Sequence, residues 1–194
     1  MPPTTADATR ARIIDAAQEC FTRFGVAKTT VEDIAAAAGL SRATVYRAVT
    51  GGRDELILAV VLRDLHRFLD ALSERLSTEP SVPDAIVEGV LDAVAFVRAD
   101  PTISRFLVPE AAGHMQAAVA GASEEVLRVC SEYVRPYFAL AQARGMLRPD
   151  IAVEGTVEFL FRMITSLIVL DRARGADAER AFLRTYVVPV ITGR

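Results

Sequence analysis

Along the chain the apolar positions recur at intervals of three and four, never in sustained alternation, and that spacing predicts helices throughout. Ile13, Ala16, Ala17, Cys20, Phe21 and Phe24 make one stripe, giving a helix from about Thr9 to Phe24 that Gly25 stops. Two short helices follow. Thr30 with Asp33 three residues on is a box-like N-terminal cap, Ile34, Ala35 and Ala38 share a face, and Gly39 ends the run. Leu40 plugs the corner, and Ser41 has the hydroxyl to cap a second helix starting at Arg42, with Val45 and Val49 inward. Asp54 opens a long helix to about Ser77, whose stripe runs from Leu56 and Ile57 to Leu72 and Leu76. Thr78–Pro83 is a break.

Beyond the break the pattern predicts a helix over about 84–99, a shorter one from Pro101 that Pro109 disrupts, and an uncertain Gly/Ala-rich segment over 111–122. Ser123 caps a helix to about Arg144 that Pro136 is expected to kink, since a proline leaves the carbonyl of Glu132 without its helical donor. Residues 151–172 are apolar on nearly every face, so that helix has to be covered on both sides. The last helix spans about 176–188 and ends at Pro189. The expected fold is all-α: a three-helix head over 1–53 containing a helix-turn-helix, then a six-helix body over 54–194.

The head's second and third helices have what a helix-turn-helix requires. Ala35 lets the two helices approach, Gly39 turns the chain, and Ile34, Leu40 and Val45 set the crossing angle. Arg42, Ala43, Thr44, Tyr46 and Arg47 are left facing outward. Arginine forks onto guanine or phosphate, hydroxyls reach phosphate, and the methyls of Ala43 and Thr44 meet thymine.

Charge sharpens this reading. The formal net charge of −3 argues against a general polyanion binder, so a DNA contact has to come from a local patch. Between Asp33 and Asp54 there are three arginines and no carboxylate, while residues 56–194 hold 18 acidic against 15 basic residues. With 52% apolar and 24% charged residues the chain is globular. Cys20 and Cys130 make neither a CxxC nor a zinc spacing and read as buried thiols. The opening MPPTTADATRAR has no apolar core of a signal peptide, and no run is long enough for a membrane span, so a soluble cytoplasmic protein is expected.

Residues 9–57 resemble the DNA-binding head of the tetracycline-repressor (TetR) family of bacterial transcription regulators. The matching run is AAQECFTRFG, then TTVEDIAAAAGLSRATVYR, then GGRDELI. The likeness implies that Thr29 and Thr30 contact phosphate, and that Ser41, Arg42, Ala43, Thr44, Tyr46 and Arg47 belong to the DNA-binding set. Arg53 takes the place of the family's usual lysine as a phosphate clamp. In this scheme Arg42, Thr44 and Arg47 read or brace base edges. Where the family usually has His or Tyr, then Phe, then Pro, this chain has Ala48, Val49 and Thr50. That departure thins the packing under the recognition helix and predicts weaker or looser DNA binding. The family also implies a long helix joining head to body, a homodimer, and a palindromic operator of double-stranded DNA.

In the body, the proline next to Cys130, Tyr133, Tyr137 and Phe138 is expected to open a cavity for a small hydrophobic effector. Leu69, Leu72, Phe106, Tyr133, Tyr137, Phe138 and Phe161 are the candidate lining. The last two helices, through Val157, Phe161, Ile164, Ile168, Phe182 and Tyr186, are the candidate dimer seam, four helices about a two-fold axis. No cofactor is expected. His66 and His114 lack a second ligand at metal-binding spacing, and neither a phosphate-cradling loop nor a nucleophile elbow is present. Asp92 with Glu88, and Glu154 with Glu158, pair carboxylates on helix faces, as solvated surfaces commonly do. Three readings compete: a ligand-released DNA-binding regulator, a helical enzyme dependent on His66 or Cys130, and a protein-interaction module with a vestigial head.

Overall fold

The computed structural model describes residues 5–78, 81–100, 103, 116–170 and 175–193, and every regular element among them is helical. The chain divides into two compact units, Met1–Leu65 and His66–Arg194, with the boundary inside one long helix.

In the first unit, α1 (Thr5–Phe24) buries Ile13, Ala16, Ala17, Cys20 and Phe21, the face that the three-four spacing selects. It starts four residues before the expected Thr9: Ala6 and Ala8 favour helix, Asp7 suits the first turn, and the Thr9 hydroxyl donates to the Thr5 carbonyl at 2.8 Å. Gly25, at φ +80°, ends it. Phe24 is a correction to the expected stripe. It is exposed, with the Arg23 guanidinium over its ring.

Helix α2 (Val31–Ala37) opens on a full capping box: the Asp33 N–H donates to the Thr30 hydroxyl, and the Thr30 N–H donates to the Asp33 carboxylate at 2.9 Å. Helix α3 (Arg42–Ala48) opens on Ser41, whose hydroxyl accepts from the Thr44 N–H. Both helices pack on α1 and on each other, and Ile34, Ala35, Val45 and Val49 are buried. Val49, which stands where the resemblance leads one to expect phenylalanine, is closed off from solvent despite its smaller volume. Helix α4 (Gly52–Leu76) then presents Leu56, Ile57, Val60, Val61 and Leu65 inward within the first unit.

In the second unit, α5 (Val82–Ala99) is capped by Ser81, with Pro83 in its first turn where no N–H is required. Phe68 of α4 stacks on Phe96 of α5, ring centroids 4.4 Å apart. Helix α6 (Gln116–Ala143) is one continuous helix that begins before Ser123 and passes through Pro136 without ending. The alanines at 117, 118 and 120 favour helix and extend it ahead of the expected cap. Helix α7 (Val153–Val169) packs on α5 and α6.

The chain closes with α8 (Ala176–Phe182), a π-helical turn (Leu183–Val187) and α9 (Val188–Thr192). Pro189 was expected to stop the helix. Instead it sits at the start of α9, directly after a wider turn in which the Val188 N–H reaches the Leu183 carbonyl. The longer repeat gives room for a ring that a regular turn would clash with. One core joins Val87 and Val90 of α5, Phe138 of α6, Val153 and Val157 of α7, and Leu183, Val187, Val188 and Ile191. The expected short helix after Pro101 and the 111–115 stretch lie outside the described residues, save Ile103, which is helical and buried.

Candidate nucleic-acid interface

The face of α3 is built by what is buried beneath it. Val45 and Val49 turn inward, so the helical repeat turns Arg42, Ala43, Tyr46 and Arg47 to solvent. Ser41 is exposed and Thr44 half-buried; their hydroxyls lie 2.9 Å apart and share the helix cap. Tyr46 is 50% exposed. The Arg42 guanidinium lies 3.3 Å from the Glu32 carboxylate, a surface pair weak enough to exchange for phosphate. The Arg47 Nε donates to the Ala43 carbonyl at 3.2 Å, which lays the side chain back along its own helix.

Thr30 is exposed at the start of α2, but its hydroxyl is already committed to the Asp33 carboxylate at 2.6 Å. The Thr30 hydroxyl and N–H together hold that carboxyl below the usual range. Arg53 is half-buried in the first turn of α4 and donates to the Ala27 carbonyl at 3.3 Å.

Thr29 requires a correction. It is only 1% exposed, and its hydroxyl bonds the carbonyls of Cys20 at 3.2 Å and Gly25 at 2.9 Å. A side chain closed in this way ties the end of α1 to the start of α2 and has no free edge for phosphate. Thr29→Val keeps the shape and removes the donor. We expect it to lower the unfolding free energy by about 1–3 kcal/mol, read by thermal unfolding, while the salt dependence of DNA binding keeps its slope.

Two side chains that motif reading passed over hold this surface. Arg12 of α1 donates to the carbonyl of Ala38 at 2.6 Å and of Gly39 at 3.0 Å, at the end of α2. Gly39, at φ +60°, serves twice: it makes the turn, and a Cβ there would press on the Arg12 guanidinium at 3.1 Å. Arg10 donates to the Ala48 carbonyl at 2.9 Å, at the end of α3, and to Glu55 at 3.0 Å. Glu55 in turn accepts from the Gly51 N–H at 2.9 Å, and this bond, with Arg10 as a lesser contributor, holds its carboxyl below the usual range. Cations at the carboxyl ends of two short helices also complement their dipoles.

In the second unit the candidate effector residues are only partly brought together. Tyr133 donates to Asp70 at 2.7 Å, and Tyr137 shares a hydrogen bond with Ser73, so both approach the carboxyl-terminal part of α4 that carries Leu69 and Leu72. Phe138 belongs to the core with Val87, and Phe161 is half-buried on α7. Phe106 lies outside the described residues. Cys130 sits beside the same core, where burial pushes its thiol up to about 11.

Of the candidate seam, Val157 is a correction: at 6% exposure it is part of the chain's own core. Phe161, Ile164, Ile168 and Phe182 are half-buried, and Tyr186 is 64% exposed with its ring 5.2 Å from that of Phe182. Val169 at the end of α7, Leu170 just beyond it and Val190 of α9 are further exposed apolar residues, outside the seam that the sequence suggests.

The carboxylates weighed as catalytic pairs are each held by an arginine: Glu88 by Arg180 at 2.8 Å, Asp92 by Arg75, Glu154 by Arg135 at 2.6 Å, and Glu158 by Arg162. His66 packs edge-on to Tyr133, and among the described residues no three potential ligands converge on a metal position. His114 lies outside them. No described helix is long and apolar enough to cross a membrane.

Comparison with known proteins meets this geometry at the head. Residues 13–60 match the model of bacterial regulatory proteins of the tetR family. An HTH-type transcriptional regulator of Mycobacterium tuberculosis is 29% identical over 93% of this chain and 84% of its own length. The regulator UidR of Escherichia coli is 25% identical over 97% of this chain and 96% of its own. Among solved structures, RolR in complex with resorcinol superposes with a TM-score of 0.75 at 16% identity, over 96% of this chain and 88% of that one, a likeness of fold. With the matched segment enclosing α2, α3 and their cap residues, and the similarity to HTH-type regulators running nearly end to end, the chain carries a DNA-binding head of the tetR-family type and is a helix-turn-helix transcriptional regulator.

Proposed function

We propose that this regulator binds a two-fold-symmetric operator as a homodimer and is released from it by a small hydrophobic molecule taken up in the second unit. The observation that carries the DNA-binding part is the α3 face: two exposed arginines and an exposed tyrosine set on a helix whose other side is buried. Residues 1–53 serve as the DNA-binding domain and 54–194 as the effector and dimerisation domain. Arg42, Thr44 and Arg47 meet base edges, with Ala43 offering a methyl to thymine. Ser41, Tyr46 and Arg53 hold backbone phosphates, which fix register without reading sequence.

The effector site lies between the carboxyl-terminal part of α4 and α6, with Leu69, Leu72, Tyr133, Tyr137 and Phe161 as its lining. Two tyrosine hydroxyls, with Asp70 and Ser73 beside them and Leu69, Leu72 and Phe161 as the apolar lining, favour a small aromatic or phenolic guest. The resorcinol bound in RolR is of that kind. The seam is formed by Phe161, Ile164, Ile168, Phe182 and Tyr186, joined by Leu170 and Val190. Tyr186 and Leu170, each more than 60% exposed in a single chain, are the apolar area that a partner copy covers.

A salt titration tests the phosphate assignment. Arg53→Ala should weaken binding to every duplex alike and reduce the slope of log affinity against log salt by about 1. A loss confined to one base position would contradict that role. Sequence-independent binding by the wild-type chain would remove the regulatory reading itself.

A further inference from the structure

We infer that Arg10 and Glu55 are a positioning pair for the recognition helix: one bidentate link fixes the carboxyl end of α3 against both α1 and the first turn of α4. This rests on the DNA-binding reading above. The guanidinium divides its donors between two acceptors of different kinds, the Ala48 backbone carbonyl at the end of α3 and the Glu55 carboxylate one turn into α4. The other Glu55 oxygen takes the Gly51 N–H in the turn between α3 and α4. Four segments therefore meet at one ion pair: α1, the end of α3, the turn, and α4.

The turn is shaped for this link. A Cβ at Gly51 would come within 3.0 Å of the Glu55 Cβ and 3.3 Å of its carboxylate oxygen, so a side chain there crowds the glutamate, which has to give way slightly. Helix α3 has only seven residues and ends at Ala48; Val49, the cap residue, is buried, but an apolar contact of that kind does not fix the direction of the helix end. A charge-assisted bond to its last carbonyl supplies a directional hold instead. It also satisfies a carbonyl that helix geometry leaves without a donor. Arg12 does the same for α2, but its two acceptors are both backbone carbonyls and it involves no second helix.

The sign of one substitution separates positioning from direct contact. Glu55→Gln removes a negative charge from the DNA-binding unit, so long-range electrostatics alone raises affinity for a polyanion. A positioning role lowers it, because the arginine loses its charged anchor and α3 its fixed end. The probe is a duplex enriched from a randomised pool by the wild-type full-length chain, with an unrelated duplex of equal length beside it. We expect Arg10→Gln and Glu55→Gln each to weaken binding to the enriched duplex about ten- to a hundredfold, and the double variant no more than the worse single one. The salt slope stays at the wild-type value, and Arg10→Lys, which keeps the charge on a single nitrogen, recovers part of the loss.

Equal affinity in the two single variants and the wild type overturns the role. So does a rise in affinity for Glu55→Gln, or a salt slope that falls by about 1 in Arg10→Gln, which would make Arg10 a phosphate contact. If circular dichroism shows that Arg10→Gln has lost helix, Glu55→Gln, which deletes no donor, decides the question by its sign. A wild-type chain that enriches no sequence removes the DNA-binding reading and this role together; a wild-type chain that binds while both variants bind as well removes this role alone.

Discussion

Replacing both arginines of the recognition face, Arg42→Ala with Arg47→Ala, should lower affinity for the enriched operator by about two orders of magnitude or more while leaving thermal unfolding nearly unchanged. A well-placed arginine on a base edge is worth about 1–3 kcal/mol, and two such contacts at separate positions add. Neither side chain supports the fold. Arg42 is 70% exposed at its side chain and pairs with the partly exposed Glu32, and Arg47 bonds its own helix. Surface changes of this kind move stability by about 0.5 kcal/mol or less. Lysine should not substitute at either place, because a single ammonium lacks the planar fork that matches guanine. Anisotropy titrations of the enriched and unrelated duplexes at one salt concentration read the effect. The specific affinity should collapse toward the non-specific value, and retention of the preference would place readout elsewhere.

The second large effect is on the head itself. Ile34→Ala should cost about 2–5 kcal/mol, the range for emptying an aliphatic side chain from a closed core. Ile34 has no solvent exposure, and it stands in the helix that packs on both α1 and α3. The unit it supports runs only to Leu65, and a domain of that size has a few kcal/mol to lose. Unfolding of the head should therefore reach working temperature, and DNA binding should vanish with it. Leu183→Ala, equally closed but in the core with Val87 and Phe138, carries a similar cost in the second unit. Calorimetry on both variants distinguishes the sites: Ile34→Ala should lower a head transition, and Leu183→Ala a transition of the second unit.

What could be read from the residues follows from the range of each interaction. Helix starts at Thr30 and Ser41 and stops at Gly25 and Gly39 are set within four residues, so the local pattern locates them. The outward set on α3 is equally legible, because burying Val45 and Val49 leaves helical geometry no other choice. The polar start of α1 has no stripe to mark it, so the periodicity alone begins the helix four residues late.

Thr29 shows where local reading stops. A threonine ahead of a helix can face phosphate or turn inward, and the Cys20 carbonyl that decides between them is supplied by the preceding helix. Arg10 and Arg12 lie in an ordinary amphipathic helix, and their acceptors, the last carbonyls of α3 and α2, carry no residue-type signal at all. In α7 the difficulty is the opposite. Apolar residues on nearly every face predict burial but do not say which stripe meets the chain's own core. Val157 turned inward, and the exposed apolar positions fell at Val169 and, just past the helix end, Leu170.

The most direct measurement is a selection from randomised duplex DNA with the wild-type chain, followed by the stoichiometry of the enriched complex by light scattering. Two chains should occupy one duplex carrying an inverted repeat, its half-site centres about 34 Å or slightly more apart. Enrichment of no sequence, or a single chain bound to an asymmetric site, contradicts a dimer that presents paired α3 helices to the major groove.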